Sequence, residues 1–157
     1  DFLVMPPSVD GEGLGQVAVC GRDVWPTGGA GGTARLVTTA DGPEWQDARE
    51  LYAYADHEVA QEAMAGLEQA RTCEEFENQI WHSFDLDTGY ESVTHALTYS
   101  DGMGSSVFQW TRVGSAIVLV MSYREGSAAD VEAQAQELVR TTRTLAREMC
   151  VFSVAGC

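Results

Sequence analysis

Six consecutive apolar residues, Ala116-Ile117-Val118-Leu119-Val120-Met121, form the longest apolar run in the chain. The run has the length of a strand and falls far short of a membrane span. It offers no polar face to solvent, so it belongs at the centre of a sheet, sandwiched by other elements. Gly114-Ser115 precedes it, and Val107 to Val113 before that is strand-like. A glycine at the first turn position supplies the positive φ of a two-residue II′ connection, so the two segments, the second continuing to Arg124, form a hairpin.

The other elements assemble around that hairpin. Arg35 to Ala40 and Glu50 to Ala55 suit strands, with Asp41-Gly42-Pro43 between them and a brief helical turn near Trp45 and Ala48. Val59, Ala63, Leu67 and Ala70, flanked by Ala60 and Met64, predict an amphipathic helix within 56–72. Ile80 to Leu86 and Tyr90 to Ser100 have strand character. Val131, Ala135, Leu138, Val139, Thr142, Leu145, Ala146 and Met149 predict a second, longer helix over 127–149. Arg140, Arg143 and Arg147 share one solvated face of it, near the end where the helix dipole favours positive charge. Residues 1–34, with Pro6-Pro7 and glycines between Gly28 and Gly32, read as largely irregular wrapping, with a short turn or strand at each of the apolar stretches Phe2 to Met5 and Gln16 to Val19. The order predicts a single α+β domain over 1–157: an antiparallel sheet of about five to six strands, two main helices packed on one face, and two disulfides.

Charge narrows the partners. A formal charge of −15 and nine basic residues without a basic cluster disfavour nucleic acid and anionic membrane surfaces, leaving membrane contact only through an anchor outside this chain. The chain starts at Asp1, which implies a processed or truncated start.

Cys20, Cys73, Cys150 and Cys157 form an even set without a CxxC pair or a histidine at zinc-finger spacing. Two structural bridges in an oxidising, extracytoplasmic compartment fit this pattern better than zinc or a catalytic thiol. Cys150 ends the predicted second helix, so a bridge to Cys157 would clamp Val151 to Gly156 back onto it and leave Cys20 to pair with Cys73. On loop entropy alone these bridges would contribute about 2.5 and about 4 kcal/mol respectively.

The helix running into Cys73, Trp81 soon after it, the segment Val107-Phe108-Gln109-Trp110-Thr111-Arg112-Val113-Gly114 leading into Ala116 to Val120, and the terminal helix resemble the PknH-like extracellular sensor domain family of actinobacterial serine/threonine kinases and related lipoproteins. The resemblance runs over about 51–149. It implies an extracytoplasmic domain of a receptor, lipoprotein or secreted protein, with two disulfides, an antiparallel sheet flanked by helices, a cleft for an unidentified ligand, and no catalytic residues.

No cofactor or metal site is expected. His57, His82 and His95 lack metal-ligand spacing, and Asp85 to Gly89 departs from a calcium loop both at its glycine and at Ala96, where a bidentate glutamate would stand. Trp81, His82, Tyr99, Gln109, Trp110, Arg112, Tyr123 and Arg124 are the candidate recognition surface. Aromatic walls with one or two arginines suit an amphipathic or anionic ligand, while cross-strand packing is the competing explanation for the same side chains. The expected function is binding or sensing of a small molecule or envelope component by a monomer. The alternatives are a secreted hydrolase using Ser105 or Ser106 with His82 or His95, and a protein-interaction module.

Overall fold

The computed structural model describes residues 3–26, 34–70, 76–127 and 130–157. Its elements are β1 (Leu3–Ser8), β2 (Val17–Val19), β3 (Arg22–Trp25), β4 (Ala34–Gly42), β5 (Trp45–Ala53), α1 (His57–Gln69), β6 (Gln79–Phe84), β7 (Glu91–Tyr99), β8 (Met103–Val113), β9 (Ala116–Ser127) and α2 (Val131–Glu148), followed by a 3-10 turn over Met149–Phe152. Seven strands form one sheet in the order β1-β4-β5-β9-β8-β7-β6, and every neighbouring pair is antiparallel. The apolar run is the start of β9, the fourth of the seven strands. Gly114 turns the β8–β9 hairpin at φ 58°.

The alternation of β9 assigns the two faces. Ile117 and Leu119 join a core with Ala60, Ala63, Met64 and Leu67 of α1 and Val24 and Trp25 of β3. Ala116, Val118 and Val120 join a second core with Ala135, Leu138 and Ala146 of α2. Polar links repeat the division. On one face a His95 ring nitrogen lies 2.9 Å from the Leu67 carbonyl of α1, and on the other Gln109 Nε2 donates to Thr94 while Thr142 of α2 donates to Gln109 Oε1.

This corrects the expected architecture. The main sheet has seven strands instead of five to six, a two-stranded hairpin (β2–β3) adds to it, and the helices lie on opposite faces rather than one. A strand apolar on both sides requires cover on both sides. Trp45 to Ala48 is not a helical turn, because pairing from Gly42↔Trp45 to Ala34↔Ala53 extends β5 through it. Both short apolar stretches of the N-terminal segment contribute strands: β1 pairs with β4, and β2 pairs with β3.

The described residues contain one disulfide, Cys150–Cys157, where two were expected. The pairing proposed for Cys20 involves Cys73, which lies outside the described residues, as does the glycine cluster from Gly28 to Gly32.

Glu50 anchors the N-terminal hairpin. Its side chain, 2% exposed, accepts from Trp25 Nε1 at 2.8 Å and from the Leu14 amide. Trp25 packs edge-on against Tyr52, with ring centroids 4.7 Å apart. Burial raises the Tyr52 hydroxyl above its ordinary pKa, with the Arg35 guanidinium opposing the shift.

Candidate functional site

Strand alternation distributes the eight expected recognition residues over both faces, so the structure does not gather them into one cleft. Trp81, Tyr99, Trp110, Arg112 and Tyr123 stand on the α1 side, and His82, Gln109 and Arg124 on the α2 side. Trp110 is fully buried among Trp25, His95 and Phe108. Gln109 is equally buried, its amide engaged by the two threonines that tie α2 to the sheet. Trp81 packs beside Phe108, and His82 bonds to Thr98.

The two arginines are spoken for and far apart. Arg112 pairs with Glu91 and donates to the Gly114 carbonyl, while Arg124 pairs with Asp47 at 2.8 Å. Arg112 lies opposite Ile117 and Arg124 lies on the same strand as Ile117, so roughly 23 Å of extended chain separates their positions.

The hydroxyls expected for hydrolysis are placed differently as well. Buried Ser105 donates to Gln134 Oε1 at 2.6 Å. His95 bonds to Ser83 instead, at 3.1 Å. No cluster of metal-ligating side chains occurs among the described residues, and no helix among them is long and apolar enough to cross a membrane.

What the fold does build is a groove, and strand and helix dimensions explain its position. Seven strands span roughly 29 Å, while a helix with its side chains is about 10–12 Å wide and covers only two or three strands. On one face α1 shares the task with the β2–β3 hairpin, whose Trp25 reaches Tyr52 of β5. On the other face α2 packs over β7, β8 and β9, and among the described residues no second helix or hairpin packs over β4 and β5.

The uncovered strip is a groove of about 310 Å³. Leu36, Thr38, Arg49, Leu51 and Val118 supply its floor, Pro7 one rim, and Leu145, Glu148, Met149 and Phe152 the helical wall. This volume is at the small end of the range typical of ligand sites, about 300–1,000 Å³. The Cys150–Cys157 bridge closes the segment carrying Phe152, whose carbonyl accepts from the Ser115 amide at 3.2 Å and so fixes that wall to the central hairpin.

No family model matches the chain, and neither does any curated protein. Among solved structures, the extracellular domain of PknH from Mycobacterium tuberculosis aligns with a TM-score of 0.55 and 13% identity, over 77% of this chain and 68% of that one. The fold resembles that extracellular domain. At such identity the likeness concerns architecture and transfers no residue's role. The described disulfide is of a kind that forms and persists in oxidising compartments.

The groove residues were not selected from the sequence. Arg49 falls between the helical turn expected near Trp45 and Ala48 and the strand expected from Glu50, and Leu36 and Leu51 look like ordinary strand residues. The available signal was the alternation Leu36-x-Thr38 against Arg49-x-Leu51, which places these side chains on one face once the two strands pair in register.

Proposed function

We propose that this domain is an extracytoplasmic sensor that binds a small molecule or cell-envelope component in the groove between α2 and strands β4 and β5, and performs no chemistry. The observation that carries this reading is the groove itself: an apolar strip of the sheet left open beside a helix whose end is strapped in place by a disulfide. A concave, largely preformed apolar surface with a few polar groups is the usual form of a ligand site. The resemblance to an extracellular domain supports the compartment, and the sensing role rests on that analogy.

Thermal unfolding tests it. An organic extract of cell envelopes should raise the melting temperature of the wild-type domain in a dose-dependent way, since a ligand that binds only the folded state stabilises it. Leu36→Trp, which adds bulk at a position 39% exposed on the groove floor, should abolish most of that rise while leaving the ligand-free melting temperature nearly unchanged. An equal rise in both proteins would place binding elsewhere. In a separate check, a fluorophosphonate should label no serine, Ser83 included; stoichiometric labelling of Ser83 would establish a reactive hydroxyl and overturn the non-catalytic reading.

A further inference from the structure

We infer that the groove takes an amphipathic carboxylate, with its alkyl chain along Leu36, Leu51 and Val118 and its headgroup on Arg49. This rests on the groove being the binding site and adds the chemical class of its occupant. Arg49 lies between Thr38 on β4 and Val120 on β9, in the middle of the uncovered face. Its guanidinium has no hydrogen-bond or ion-pair partner among the described residues. Asp47, two positions away on the same strand and face, is engaged by Arg124. An exposed, uncommitted guanidinium at an apolar groove presents a planar fork matched to a carboxylate.

Glu148 shares the groove and makes no ion pair with Arg49 among the described residues. The two charges stand at opposite ends. Arg49 also lines a second depression, of about 150 Å³, with Asp47, Arg124, Gln134, Glu137 and Thr141, whereas Glu148 adjoins Met149 and Phe152 at the disulfide end. Thr141 and Glu148 are separated by two helical turns, roughly 10 Å. Glu148 repels an anionic headgroup from the disulfide end, whereas at the other end Arg124 engages Asp47 and Arg49 offsets Glu137, so the carboxylate is oriented towards Arg49 with the chain lying between them. Leu36, Leu51, Val118, Leu145 and Met149 make most of the groove lining apolar, which suits one charged contact serving a long apolar body.

Calorimetric titration of the intact domain with decanoate and with decanol tests the assignment. Decanoate should bind the wild type about tenfold more tightly than decanol does. Arg49→Gln should remove that tenfold preference and leave decanol affinity unchanged, Arg49→Lys should restore part of it, and Leu36→Trp should weaken both ligands. Equal affinity for acid and alcohol, or a preference that survives Arg49→Gln, would overturn the headgroup assignment and leave the groove in place. Binding of both ligands that Leu36→Trp does not weaken would overturn the groove as well. No binding of either by the wild type, with stabilisation by envelope extract still lost in Leu36→Trp, would overturn the alkyl carboxylate as occupant while keeping the groove.

Discussion

Glu50→Ala is expected to destabilise the domain by about 3–5 kcal/mol. The carboxylate lies at the junction of the sheet and the N-terminal hairpin, where it accepts from Trp25 Nε1 and the Leu14 amide. Alanine would strand two donors and leave a void beside Trp25, which is fully buried. An unsatisfied buried donor costs about 1–3 kcal/mol, and the void adds to that. Glu50→Gln should cost less, because its amide oxygen can still accept one of the two bonds. Urea denaturation monitored by tryptophan fluorescence compares the three proteins. A loss below about 1 kcal/mol for Glu50→Ala would mean that the hairpin is held by apolar contact alone.

Gly114→Val is expected to cost about 3 kcal/mol or more. The backbone there has φ 58°, a conformation that strains any β-branched residue. A Cβ built on Gly114 would also lie 1.9 Å from the Phe152 carbonyl oxygen, so the 149–152 turn would have to move. The substitution therefore displaces the groove's disulfide-strapped wall as well as straining the central hairpin. Denaturation should show the loss of stability, and titration of the surviving folded protein should show weakened ligand binding. A variant of wild-type stability would mean that the turn and the strap adjust at no cost, contrary to the packing seen here.

The elements with strong local signals were legible in the sequence. The hairpin through Gly114, the central position of Ala116 to Met121, and the apolar stripes of both helices each rest on a short-range pattern that the fold preserves. The two-faced character of Ala116 to Met121 already implied cover on both sides, and placing both helices on one face disregarded it. The β2–β3 hairpin was hidden by its turn. Cys20 and Gly21 have φ 57° and 72°, the positive pair of a type I′ connection, but without the asparagine or aspartate that usually announces one.

The candidate site was less legible, for a geometric reason. Residues chosen by chemical type, such as Trp81, Trp110, Arg112 and Arg124, acquire a face only when strand register is known, and a shift of one residue exchanges the faces. Arg49 became visible only after β5 was seen to begin at Trp45 and to pair along its whole length with β9. That the groove is open at all depends on which strands α2 reaches, a tertiary property with no local signature.

The most direct test of the central claim is an amide and methyl chemical-shift map of the isotopically labelled domain titrated with envelope extract. Perturbations concentrated at Leu36, Arg49, Leu51, Val118 and Leu145, with the α1 face undisturbed, are the predicted result. Shifts centred on Trp81, Arg112 and Tyr123, or no saturable shifts in any part of the domain, would contradict the account.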